Sequence, residues 1–550
     1  MKRNSSSSVL MYKKNIDRLF KAAVLLFLLS YPLAVYSQVL STDEINKKVS
    51  QSVVLVRAYD NANKITSQGC GIIYNDEGWA IANYSIISGK SKFEVLKNGQ
   101  KMPVKDIVGI SVDLDIVIIK VDPGKGEYIA TGDSKNITAG KKIYTIDITS
   151  WPATDIMQGT VKDFKFDYSS ETGFIEIPED NIVGNGPVLN EKGELVGFIQ
   201  PLIRHEDNIV SVIPINDLKF IKTGSYLKNN AYKDFEMLEK GHKANHSGNY
   251  NEAISIYSNF IKKHPNVCEA YYGSGQAKNW VADYKEAIKD FTKAIELNSE
   301  QVKFYIGRAY SEELLSNYSA ALLDYNMVLS INPNLDKIYN MRGETKNMLN
   351  DYKNALQDFN AAVKLNPNEF SYFLNRATSR FILEDNGGAI EDYTKALKLD
   401  SSIAGVYSQR ATVKAKLHDF KGAIADYKKS VELDPTDVWE HIDYGLVLAA
   451  VKDFRTAKDE YTKAIQNSEK TSYAYLCRGM AEYELSEYSN TIADCTRALE
   501  IDTVYSNAYY YRGLAKQKLG DTSGALEDWK IAKDKGIKEA DDMIKKYQGK

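Results

Sequence analysis

The 550-residue chain carries 70 basic and 73 acidic side chains, for a formal net charge of −3 at pH 7. That balance provides no basic field for nucleic acid or for an anionic membrane surface, so neither partner is expected. Four cysteines are too few for a disulfide framework and show no metal-ligand spacing, and nothing indicates a small-molecule cofactor.

Residues 1–37 read as an export signal. Lys13, Lys14, Arg18 and Lys21 precede an apolar run from Ala22 to Val35, and Val35-Tyr36-Ser37 offers a cleavage site before Gln38. The run is short for a membrane span and Pro32 interrupts it. The expectation is a cleaved leader on an exported protein, periplasmic, cell-surface or secreted; the alternative is a retained N-terminal anchor. No cysteine follows the leader to carry a lipid, and no other stretch is apolar enough to span a membrane. The length behind the leader suits two domains.

In residues 38–222, short β-branched runs (Ser52–Val56, Gly71–Tyr74, Trp79–Ala82, Ile116–Val121, Lys142–Ile148) alternate with Gly/Asn/Asp turns, which predicts an all-β barrel or sandwich. Within it come, in order, Gln68-Gly69-Cys70-Gly71, Glu77-Gly78-Trp79-Ala80, Asp115-Ile116-Val117, Gly132-Asp133-Ser134, Gln158-Gly159-Thr160, Gly186-Pro187-Val188 and Gly193-Glu194-Leu195. This succession resembles the trypsin-like, Deg-type serine proteases, which implies two β-barrels with an active site between them. The family's triad is a His base, an orienting Asp and a Ser nucleophile. The resemblance places Ser85 at the His position and Asp115 at the Asp position. Gly184, in Ile182-Val183-Gly184-Asn185-Gly186-Pro187, falls at the Ser position. His205, the first histidine in the chain, lies beyond the nucleophile stretch. Loss of Ser or His costs roughly a million-fold in turnover, about 8 kcal/mol of barrier, so the expectation is a domain that is not an enzyme. Asp115 is then a fold residue capping a local turn. Gly184-Asn185-Gly186 would be a relic loop able to hold a carbonyl or carboxylate without cleaving it.

Residues 223–233 are expected as a linker. From 234 to 539 alanine recurs every 34 residues (Ala253, Ala287, Ala321, Ala355, Ala389, Ala423, Ala457, then Thr491, then Ala525). A small residue stands twelve positions before each, as at Gly343, and an aromatic four positions after, as at Phe359, with Cys495 the exception. These spacings describe a helical hairpin whose two helices approach closely at the small residues. One hairpin cannot bury its own apolar face, so units must stack. The pattern resembles nine tetratricopeptide repeats, which implies a right-handed superhelix whose concave face holds a peptide or partner protein. Residues 539–550 are expected as a C-terminal capping helix.

Arg308, Arg342, Arg376, Arg410, Arg478 and Arg512 share one position, and the acids from Asp290 to Asp528 another, which predicts ion pairs between helices or solvated faces. On the first helices, the early units place polar residues such as Tyr310, Glu313, Asn340, Glu344 and Asn347. The later units place Trp439, Ile442, Leu446, Tyr473, Leu476, Met480, Tyr483, Tyr510 and Leu514. These nine are the candidate partner-binding set; the alternative is that they pack across neighbouring units. Cys477 and Cys495 fall in the two helices of one unit, so a bond is conceivable beside the simpler reading of two buried small side chains. The whole is read as a multidomain chain, an all-β double barrel followed by an all-α solenoid. Its expected role is an exported scaffold or adaptor that binds a protein or peptide. The rivals are a serine endopeptidase-like hydrolase with displaced catalytic residues and a substrate-holding chaperone.

Overall fold

The computed structural model describes residues 39–548 except 91, 113, 123–126, 135–136, 148–154, 168–169, 177–185, 206–208, 222–225 and 227. The expected leader (1–37), Gly184 and Asn185 lie outside the described residues. The chain forms two compact units, residues 1–307 and 308–550.

The first unit begins with helix α1 (Thr42–Ser50). Ser41 starts it through a capping box with Glu44, and Ile45 and Val49 are its buried face. A seven-stranded antiparallel sheet follows, built from β1 (Val53–Tyr59), β2 (Ile65–Ile73), β3 (Trp79–Asn83), β4 (Lys92–Lys97), β5 (Gln100–Met102), β6 (Val104–Ser111) and β7 (Ile116–Val121) in the order β5-β4-β1-β2-β3-β7-β6. Strands β8 (Lys142–Asp147), β9 (Asp155–Asp167), β10 (Ser170–Glu176), β11 (Pro187–Leu189), β12 (Leu195–His205) and β13 (Ile209–Pro214) close a barrel in the order β10-β13-β12-β11-β8-β9.

The middle of the sheet, β1, β3, β7 and the second half of β2, is buried on both faces, which is why these strands read as unbroken apolar runs rather than an alternating pattern. Ile72, Ile81, Ile116 and Ile118 pack with Tyr144, Leu189, Leu195 and Phe198 of the barrel and with Ile45 and Val49 of α1. Val54, Val56, Ala80, Ala82, Val117 and Ile119 point the other way, into a core completed by Tyr232, Phe235, Leu238, Tyr257 and Phe260. Those last residues belong to the expected linker and to the first repeat. The described part of the expected linker, Tyr226 and 228–233, is therefore not an open spacer. Lys228–Asp234 forms a 3-10 helix, the Tyr232 ring meets Phe93 edge-on at 5.8 Å, and the Tyr226 ring meets Phe235 at 5.3 Å. Two tyrosines with apolar partners make this stretch part of the core, and the first repeats fold with the β domain.

The described residues from 235 to 547 form nine helical hairpins and a final helix. Close approach explains the small residues. A Cβ added at Gly343 would lie 2.6 Å from the Phe359 ring, and one at Gly445 2.4 Å from Tyr461. Between the helices of each unit one residue takes the left-handed conformation, from Ala282 (φ 61) through Asn350 (φ 59) and Lys452 (φ 65) to Ser486 (φ 63). The repeated arginines and acids are ion pairs: Arg342 donates from Nε and Nη2 to the buried Asp358 at 2.9 and 2.6 Å. Arg308–Asp324, Arg376–Asp392, Arg410–Asp426, Arg478–Asp494 and Arg512–Asp528 repeat the fork. All four cysteines are free and buried, which removes a Cys477–Cys495 bond. The last helix, Lys538–Tyr547, lays Ala540 and Ile544 on the cluster around Trp529 and covers the end of the stack. No helix of the described residues is long and apolar enough to cross a membrane.

Candidate functional site

Two places deserve the name of site: the pair Ser85–Asp115 in the β domain and the first-helix face of the late repeats. Strand β3 ends at Asn83 and turns into a 3-10 helix, Tyr84–Ile86, which exposes Ser85. Asp115 sits just before β7 in the left-handed region (φ 51) and is 4% exposed. Its Oδ1 accepts the Ser85 backbone N–H at 2.6 Å, and its Oδ2 accepts the Ser85 hydroxyl at 2.9 Å and the Asn83 amide at 3.1 Å. The Asp115 carbonyl accepts Tyr84 N–H at 2.9 Å. Burial pushes the Asp115 carboxyl above its ordinary value, and the donors Ser85 and Asn83 work against that rise. The carboxylate thus clamps the turn after β3 to the β6–β7 connection.

The structure brings Ser85 and Asp115 together, as the resemblance implies for the positions of a base and its orienter. The His205 backbone pairs with Ile209 where β12 meets β13. Asn83 lies beside the Ile199 carbonyl on β12, at 3.4 Å. His205 follows six residues later on that strand, beyond the irregularity between Gln200 and Arg204. Of the expected relic loop only Gly186 is described; it is buried and its carbonyl accepts Ile199 N–H at 2.9 Å. The turn at Ser85 is also held from the repeat side. Tyr84 Oη donates to the Tyr232 carbonyl at 3.3 Å, and Ser88 donates to Glu239 on the first repeat's first helix, Phe235–His246.

The nine candidate partner residues divide. In the seventh repeat's first helix, Val438–Ala450, Trp439 is 60% and Leu446 38% exposed. Tyr473, Met480, Tyr483, Tyr510 and Leu514 are half-buried. Tyr473 stacks on Tyr505 at 5.9 Å, and Tyr483 and Tyr510 both pack on Tyr511. Ile442 (0% exposed) and Leu476 (3%) are core residues and are withdrawn from the set. Both point into the seams between units, Ile442 among Tyr427, Val431 and Tyr461, and Leu476 among Cys495, Leu499 and Ala508. In the early units the polar residues bond to one another between repeats: Asn375 donates to Asn340 at 3.0 Å and to Glu344 at 2.6 Å, and Asn347 to Ser379 at 3.0 Å. Sequence reading missed Asp443, an exposed acid on the Trp439 helix. The signal was there: in repeats two to nine the same position holds Gly273, Gly307, Met341, Asn375, Gln409, Cys477 and Tyr511, with no other charge.

The β domain is similar to trypsin-like peptidase domains, and the helical hairpins are similar to tetratricopeptide repeats. The trypsin-like peptidase domain family matches residues 69–198, and the tetratricopeptide repeat family matches 269–301, 336–369 and 404–437. The chain is similar to the anti-sigma-I factor RsgI9 of Acetivibrio thermocellus, 28% identical over 171 residues, covering 30% of this chain and 24% of the relative. It is also similar to the serine protease Do-like HtrA of Lactococcus lactis subsp. cremoris, 25% identical over 217 residues, covering 31% of this chain and 53% of the relative. The chain thus spans about half or less of the length of these relatives. Among solved structures, the C-terminal part of a TPR repeat-containing protein from Cytophaga hutchinsonii is 19% identical with a TM-score of 0.39, covering 43% of this chain and 98% of that one.

Proposed function

We propose that the protein is an exported scaffold whose repeats hold a partner protein or peptide, while the trypsin-like domain acts as a catalytically inactive docking surface or spacer. The observation that carries the binding role is Trp439, a large aromatic left 60% exposed on a helix whose other apolar residues are mostly packed away. Side chains of this kind anchor interfaces. Inactivity is supported by Ser85, an alcohol donating to Asp115 where the fold family uses an imidazole base. Export is supported by the basic-then-apolar N-terminal segment.

The test uses the mature chain from Gln38, immobilised against an exported-protein extract. One stoichiometric partner is expected, lost with Trp439→Ala and with Leu446→Ser. Retention by both variants would overturn the assignment of the site. Many weakly held unfolded chains, with suppressed aggregation, would favour a holding chaperone. In parallel, the pure protein is expected to leave an unfolded protein substrate intact; cleavage abolished by Ser85→Ala or Asp115→Asn would restore the hydrolase reading.

A further inference from the structure

Asp443 lies between the two exposed anchors of the seventh repeat, four residues after Trp439 and three before Leu446, so all three share one stripe of the helix. Any partner seated on Trp439 and Leu446 therefore also covers this carboxylate. Covering a lone carboxylate is unfavourable unless the partner supplies a counter-charge.

Among the described residues Asp443 has no ion pair, and several cations of the adjacent helices are committed elsewhere. Arg410 and Lys414 are bound to Asp426, Arg478 to Asp494, Lys463 to Glu460 and Lys458 to Glu487. Although exposed to solvent, the Asp443 carboxyl stands above its ordinary value, first through burial among surrounding side chains and then through Glu440 and Asp437. Its charge acts on the hydroxyl of the half-buried Tyr473 of the next repeat. An exposed carboxylate set between two apolar anchors suits a lysine or arginine side chain, through a charge-assisted hydrogen bond.

We propose that the partner segment carries a lysine or arginine that ion-pairs with Asp443, flanked by apolar residues on Trp439 and Leu446. This deepens, and rests on, the reading of the first-helix face as a polypeptide-binding surface. It makes an acidic partner terminus the wrong occupant for this repeat, and a purely apolar segment a poor one.

The experiment pans a random dodecapeptide library displayed on phage against the full mature chain, with Trp439→Ala as counter-selection. The enriched sequences are then synthesised and titrated by fluorescence anisotropy. The expected result is enrichment of Lys or Arg next to an aromatic or leucine. Replacing that basic residue with norleucine, or Asp443 with Asn, should weaken binding at least about tenfold. Pairing Asp443→Lys with a Glu-for-Lys peptide should restore binding. Asp443 is exposed, and unchanged circular dichroism of each variant checks its fold. Enrichment of neutral or acidic peptides that depend on Trp439 and ignore Asp443→Asn overturns the basic partner and leaves the binding surface standing. No Trp439-dependent enrichment overturns the binding surface itself, and this proposal with it.

Discussion

Glu482 occupies the position from which five other first helices present a cation to the second-helix aspartate: Lys278, Lys346, Arg380, Lys414 and Lys516. Here the side chain is an acid, 5% exposed, and its Oε2 has no hydrogen-bond partner. Burial, followed by the charge of Asp494, pushes the Glu482 carboxyl up to about 8, against the pull of Arg478 and Lys458. A carboxyl whose folded value lies above its unfolded one stabilises fully below about pH 4.5, and that contribution is lost as pH rises through about 8. His441 acts with the same sign. Its Nδ1 faces Glu460 at 2.7 Å and its Nε2 faces the Pro435 carbonyl at 3.1 Å. Two acceptors require both ring nitrogens to carry protons. Burial opposes that charge, but Glu460 and Pro435 outweigh it and raise the imidazole. Urea unfolding should therefore show the chain losing stability from pH 6 to pH 9. Glu482→Lys should flatten that slope and stabilise most at pH 9; an unchanged slope in Glu482→Lys would show that Glu482 is already ionised at neutral pH.

At the scale of the element, six of the nine hairpins carry a forked ion pair, and each has a left-handed turn residue. Asp324 is buried and relies on Arg308, because that unit places Glu312 where other units carry a second cation. Asp358 has Lys346 at 2.7 Å besides Arg342. Stranding a buried carboxylate costs about 3–5 kcal/mol, so Arg308→Ala should approach that loss in chemical denaturation and Arg342→Ala should fall short of it. Equal losses would mean that Lys346 contributes nothing. The turns offer the opposite change. Glu384 and Lys452 hold φ of 65 with side chains that disfavour it. Glycine at either place should stabilise by about 0.5–1 kcal/mol, measured the same way. The period of 34 made these elements legible in the sequence, since every unit reuses the same distances. His441 and Glu482 escaped because they are departures from that period, and a departure has meaning only once its neighbours are in place.

At the scale of the molecule, the boundary between β domain and repeats is a shared core. Phe235 packs edge-to-face on Tyr226 at 5.3 Å and on Phe260 at 5.4 Å, in the cluster that holds Val54, Val117 and Ile119 of the sheet. Removing a buried phenylalanine costs about 3–5 kcal/mol. Phe235→Ala should therefore raise hydrogen exchange in β1 and β7 together with Phe235–Lys263. Faster exchange confined to the repeat would show that sheet and first hairpin unfold separately.

Composition, strand runs and the 34-residue period determined the two classes of domain, their order and the shared positions of the arginines and acids, because each is written in local spacing; that these rows are ion pairs was decided by the structure. The sequence also displayed Ser85 and Asp115, yet not their 2.9 Å bond. That contact joins residues thirty positions apart, and only the pairing of β3 with β7 brings them together. Which late-repeat residues remain open was likewise decided by the seams. Trp439 and Ile442 stand three residues apart on one helix, and the neighbouring units bury one and leave the other to solvent.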